Sequence, residues 1–137
     1  MSVIQGDLPA YQLADRYEAG SGLVLMSGTQ ALARILLDQS RRDVARGWRT
    51  AGFVSGYRGS PLGGVDLELW READRIATAG IEFLPAVNED LAATAVLGSQ
   101  QVESQPTKQF DGVFGMWYGK GPGLDLSLIH IPSPRDS

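Results

Sequence analysis

AGFVSGYRGSPLGGVDLELWREADRIATAGIEFLPAV, residues 51–87, is the stretch that decides the fold. It opens on a short apolar run bounded by glycine, residues 51–56, which reads as a buried strand. The loop YRGSPLGG follows over residues 57–64. Residues 65–79 then place Leu69, Trp70, Ala73, Ile76 and Ala77 on one helical face. IEFLPAV, residues 81–87, is another apolar run, and Pro85 is expected to end it, because proline has no N–H for the ladder. Strand, helix and strand in this length form a crossover unit that joins parallel strands.

The same rhythm continues on both sides. Upstream, GLVLMSG (residues 22–28) is strand-like, and Ser27 or Thr29 can cap the helix of residues 29–47. That helix places Leu32, Ile35, Leu36 and Val44 mostly on one side. Downstream, a helix is expected from Glu89 to about Glu103, buried on most sides, and a last strand over residues 111–119. The alternation predicts an α/β fold, a parallel sheet with flanking helices. Ligands of such sheets sit outside the carboxyl ends of the strands. The loop after Val54, the turn at Asn88–Glu89 and the loop after Trp117 would share that edge.

Composition narrows the function. The chain has 137 residues, enough for one domain, with 43% apolar and 20% charged residues, a globular balance. Net charge is −4 and the basic residues are scattered, so no nucleic-acid surface is expected. The apolar runs are too short to span a bilayer, and MSVIQGDLPAYQL lacks the pattern of a secretory signal. The cytoplasm is the expected compartment. Cysteine is absent, which excludes disulfides and cysteine-ligated clusters from these residues. The single histidine, His130, makes a zinc site or a histidine base an unpromising expectation.

Residues 1–16 read as a polar lead-in with irregular structure or a short helix, and residues 17–125 as the domain. After Gly123 the rhythm stops. LSLIHIPSPRDS, residues 126–137, resembles translated sequencing-adapter read-through, so a non-native tail is expected there. A natural disordered terminus is the plainer alternative. His130 falls in this tail.

Three motifs carry chemical content. YRGSPLGG could approach a phosphate closely, but it lacks the G-x-G-x-x-G spacing and composition alone makes it a Gly–Pro turn. YGKGPG, residues 118–123, is not a nucleotide-triphosphate loop. Phe114 stands where the first glycine is needed, and Gly121 where Ser or Thr should follow the lysine. VNEDLAATAV, residues 87–96, begins with acids and continues without charge from Leu91 to Gln101. With Asn88 as N-cap, Glu89 and Asp90 fall in the first helical turn. There they could simply complement the helix dipole, worth about 0.3–1 kcal/mol each. At the sheet edge, however, a partly dry glutamate can exchange a proton with a ligand nitrogen.

In order along the chain, GYRGSPLGG, PAVNEDLAATAVLGSQQ and DGVFGMWYGKGPG resemble the N-terminal region of indolepyruvate ferredoxin oxidoreductases. The similarity is greatest to the long fused kind, within the 2-oxoacid:ferredoxin oxidoreductases. It covers residues 17–125. It implies the pyrimidine-binding domain of a thiamine-diphosphate enzyme. In that family a glutamate hydrogen-bonds a ring nitrogen of the aminopyrimidine and so promotes deprotonation of the thiazolium carbon. The 2-oxoacid then loses carbon dioxide, two electrons pass through [4Fe-4S] clusters to ferredoxin, and the acyl group goes to coenzyme A.

Glu89 matches the family's glutamate, as the catalytic and cofactor-binding residue. Ser60, before Pro61, lies where pyruvate-type relatives look like Thr-Pro, and is carried over as substrate-binding with Tyr57 and Arg58 as neighbours. Arg58 could pair a substrate carboxylate. Lys120 is near the same edge without a role. The resemblance implies that Mg2+, the diphosphate and the clusters are held by C-terminal domains missing here. The fragment alone is then inactive, and the complete enzyme a homo-oligomer. Indolepyruvate, phenylpyruvate and branched 2-oxoacids all remain open as substrates. A non-catalytic nucleotide-binding module and a partner-dependent subunit are the alternative readings.

Overall fold

The computed structural model describes residues 10–59 and 62–122. The Ser60–Pro61 dipeptide and the 126–137 tail with His130 lie outside the described residues. The elements run α1 (Asp15–Glu18), α2 (Gly28–Ala45), β1 (Thr50–Gly56), α3 (Gly63–Arg71), α4 (Ala73–Thr78), β2 (Ile81–Phe83), α5 (Glu89–Ser99), a 3-10 turn (Gln100–Ser104) and β3 (Gly112–Tyr118). The fold is α/β, with a parallel sheet of order β2-β1-β3. No helix among the described residues is long and apolar enough to cross a membrane.

The order explains where the helices go. From β1 the chain steps outward through α3 and α4 to β2, then reverses and crosses β1 through α5 to reach β3. Two right-handed crossovers in opposite directions must use opposite faces of the sheet. One face accordingly packs Val54, Ile81 and Tyr118 with Leu36, Leu37, Val65, Leu69 and Ile76. The other is covered by α5, where a Cβ on Gly115 would strike Val96 and Gln100. Each large apolar side chain in the first layer contributes roughly 1.5–3 kcal/mol by burial. Gly52 and Gly56 leave space on the central strand. An added Cβ would come within 2.6 Å of the Phe114 ring at Gly52, and well inside 3.0 Å of the Tyr118 ring at Gly56.

Residues 16–19, at the end of α1, are tied down by arginines. Arg34 donates to the carbonyls of Arg16 at 2.7 Å and Ala19 at 2.5 Å, and Arg41 donates to that of Tyr17. Cations thereby meet the open carbonyls at the end of α1. The Tyr17 hydroxyl donates to buried Glu68 and fixes α1 against α3.

Four expectations need correction. Residues 22–28 form no strand: Leu23 is fully exposed, Leu25 nearly so, and the Leu25 carbonyl accepts from the Tyr11 hydroxyl at 2.7 Å rather than from a ladder. In α2 the buried stripe is Ala33, Leu36 and Leu37, while Leu32, Ile35 and Val44 face solvent. Apolar residues surround this helix too widely for period alone to set its phase. The helix after the YRGSPLGG loop starts earlier, at Gly63, and breaks at Glu72 (φ −101°, ψ 21°), leaving Trp70 exposed and edge-on to Phe83 at 5.3 Å. The α5 helix is not buried on most sides. It ends at Ser99, Ala92 is its buried residue, and Leu91 and Leu97 are more than half exposed. Other features fall close to expectation: Ser27 and Gln30 form a capping box on α2, and β1 and β3 differ by a residue at their ends.

Candidate functional site

The carboxyl ends of all three strands form one edge. Ladder bonds continue past β2, from Leu84 N–H to the Val54 carbonyl at 2.9 Å and from Ala86 N–H to the Gly56 carbonyl at 3.0 Å. The Ser55 hydroxyl adds a bond to the Leu84 carbonyl at 2.7 Å. These bonds hold residues 84–86 beside β1 and deliver the turn into α5 to the edge. The connections after β1 and β2 leave on opposite faces, the topological arrangement that opens a crevice in α/β sheets.

Glu89 enters from the α5 side. Asn88 is extended (φ −156°, ψ 171°), and its side-chain oxygen accepts from the Leu91 N–H at 2.8 Å, an N-cap as expected. This makes Glu89 the first helical residue, half-buried, where the helix dipole favours negative charge. The indole Nε1 of Trp117 donates to the Glu89 carbonyl at 3.3 Å. A Cβ on Gly119 would lie 2.6 Å from the Trp117 ring and 3.4 Å from Glu89 Cγ. Only glycine lets the backbone leaving β3 pass this closely under the indole, beside the glutamate. Next to it, Asp90 Oδ1 is buried without a hydrogen-bond partner.

Arg58 enters from the α3 side. Its Nε donates to Asp66 Oδ2 at 2.9 Å, and the Tyr118 hydroxyl donates to Asp66 Oδ1 at 3.0 Å. Asp66 is 2% exposed, whereas the Arg58 side chain is 67% exposed. Burial pushes the Tyr118 phenol well above the usual tyrosine range, and the Asp66 carboxylate adds to the rise through its hydrogen bond and its charge. Trp117 and Tyr118 are adjacent in β3, so their side chains leave on opposite faces. One dipeptide thus reaches Glu89 on one side and Asp66 on the other.

Tyr57 is half-buried, bridges in parallel to Ala86, and lays its ring where a Cβ on Gly59 would have to be. Of the four residues expected at the site, three are therefore placed at this edge: Glu89 on one face, Tyr57 at the crest and Arg58 on the other. The fourth, Ser60, lies outside the described residues. Lys120 is exposed beyond β3. Asp66, Trp117 and Tyr118 were not expected. Each belongs to a quoted motif or its flank, but a single acid in a first helical turn and aromatics in a strand have common structural uses.

Among the described residues no group of three or more His, Cys, Asp or Glu could hold a metal ion. A cleft of about 380 Å³ at the opposite, amino end of β1 and β3 contains Asp43 and Asp111. Both carboxylates are engaged, Asp43 with Thr50 and Gln39 and Asp111 with the Arg49 N–H. The edge is the place where a half-buried acid, a paired but exposed arginine and close-packed glycines converge. No family model, curated protein or solved structure matches the chain.

Proposed function

We propose that this chain is the pyrimidine-binding part of a thiamine-diphosphate-dependent 2-oxoacid:ferredoxin oxidoreductase of the indolepyruvate kind. The observation that carries it is the position of Glu89: first residue of α5, half-buried, at the carboxyl edge of a parallel sheet, beside Trp117 and Gly119. The order of the three quoted motifs supports it, because all three supply residues to that edge.

The residues here fit only the aminopyrimidine end of the cofactor. Glu89 offers a carboxylate at a helix start, and Gly119 lets the chain leaving β3 pack directly against the indole beside it, where a Cβ would lie 2.6 Å from the Trp117 ring. The chain has no cysteine for the clusters, and the described residues hold no group of three or more His, Cys, Asp or Glu that could take Mg2+. Those groups, the diphosphate and coenzyme A fall to further domains under this proposal. When bound, the cofactor supplies a nucleophilic carbon and an electron sink for decarboxylation of a 2-oxoacid. Glu89 would hold or release a proton at a ring nitrogen. Trp117 would keep the glutamate backbone in register with β3. Tyr57 would face the substrate from the crest and Arg58 from the α3 side. The uncharged outer face of α5, with Leu91 and Leu97 exposed, supports burial against another part of the complete homo-oligomeric enzyme.

The direct test is to sequence the source DNA through the codon for Asp125 and beyond. A frame that continues into a diphosphate-binding domain and cysteine clusters supports the proposal. A genuine stop after the codon for Ser137, with no partner gene carrying those domains, contradicts it.

A further inference from the structure

Asp66 is a buried carboxylate whose surroundings do more than neutralise it. Taking such a group out of water is costly unless each oxygen is paired. Here, among the described residues, Tyr118 donates to Oδ1 and Arg58 to Oδ2, so the carboxylate cannot rotate without losing a bond. The donors come from different elements: the last residue of β3 and the loop leaving β1, while the acid sits in the first turn of α3. Space for the Tyr118 ring exists because residue 56 of the facing strand is glycine.

The asymmetry of exposure is informative. The Arg58 side chain is 67% exposed while Asp66 is 2% exposed, so the guanidinium is anchored on its buried side and reaches solvent on the other. An arginine anchored through Nε by a fixed carboxylate is ordered before a ligand arrives, and ordering is a large part of what binding costs. The guanidinium fork is suited to carboxylates.

We propose that Asp66, locked by the Tyr118 hydroxyl, is a positioning residue that holds Arg58 at the sheet edge to receive the carboxylate of a small organic acid. The choice of acid rests on the proposed 2-oxoacid activity; the positioning does not.

Hydrogen exchange in the chain itself tests the positioning. Exchange at the Arg58 Nε–H and the Gly59 amide is compared with that of the Val54 amide in the core. Asp66→Asn should speed exchange at both loop positions about tenfold or more relative to Val54, since a hydrogen bond to a charged group is lost. Tyr118→Phe should act in the same direction, less strongly. If Asp66→Asn does not fold, Arg58→Gln is read at the Gly59 amide, with the same acceleration expected. Unchanged loop exchange, or a rise no larger than at Val54, overturns the positioning role.

The ligand class is tested in the complete enzyme. Asp66→Asn should raise KM for 2-oxoacids about tenfold with much less effect on kcat, and adding Arg58→Ala should raise it little further. An unchanged KM in an enzyme that does turn over 2-oxoacids overturns the carboxylate-receiving role alone. Absence of any 2-oxoacid turnover in wild type overturns the proposed function and with it the choice of acid, while the exchange result still decides the positioning.

Discussion

The indole of Trp117 hydrogen-bonds the backbone carbonyl of Glu89 at 3.3 Å, joining the end of β3 to the first residue of α5. The bond spans 28 residues of sequence. It holds a half-buried acid of the crest beside Gly119, whose missing side chain lets the backbone pack against the indole. Trp117→Phe keeps the ring and removes the donor. The expected loss is about 1 kcal/mol of stability by urea unfolding, with faster amide exchange at the start of α5. Exchange unchanged there would mean that the indole does not position the glutamate.

Asn88→Ala should cost about 1 kcal/mol, because the side-chain oxygen accepting the Leu91 N–H is lost. Asn88→Asp should retain most of the stability. Thermal melts of the three proteins check this, and equal melting temperatures for Asn and Ala would contradict the cap.

Two glycine substitutions should have opposite signs. Gly56→Ala forces a methyl into the Tyr118 ring, and overpacking of this kind costs about 1–3 kcal/mol. Gly98→Ala meets nothing within 4 Å inside α5, and should stabilise by about 0.5–1 kcal/mol through helix propensity. Urea midpoints moving in the same direction would show that the packing around one of these sites is misassigned.

Alkaline pH should destabilise the fold through its two buried phenols. Burial raises both Tyr17 and Tyr118, with Glu68 and Asp66 respectively adding to the rise. A raised value in the folded state means that the fold retains the proton while the unfolded chain releases it. The contribution is therefore complete below about pH 10, the unfolded value, and is lost as pH climbs above it. Urea midpoints should fall above that pH, and the fall should be smaller in Tyr118→Phe measured against its own midpoint at neutral pH. A midpoint that is flat or rising over the same range would contradict the burial of these hydroxyls.

Much of this edge was legible from local patterns, and its wiring was not. Apolar runs bounded by glycine located β1 and β3, and Asn88 before two acids located the start of α5. Residues 22–28 carry a similar apolar signal, but pairing depends on a neighbouring strand, which no local pattern reports. Helix α2 carries apolar residues at 32, 33, 35, 36 and 37, so its buried face was fixed by what it packs against. The Asp66 clamp joins residues 58, 66 and 118. A contact between positions 52 residues apart has no signature in composition or period.

The central claim is that Glu89 handles the proton at the sheet edge, and the most direct measurement is 2-oxoacid decarboxylation by the complete enzyme carrying Glu89→Gln. Glutamine keeps the shape and the helix start but cannot exchange the proton. Turnover is expected to fall about 10²–10⁴-fold, the usual range for loss of an acid–base group, with the melting temperature little changed. Turnover within a few fold of wild type in a folded enzyme would contradict the claim.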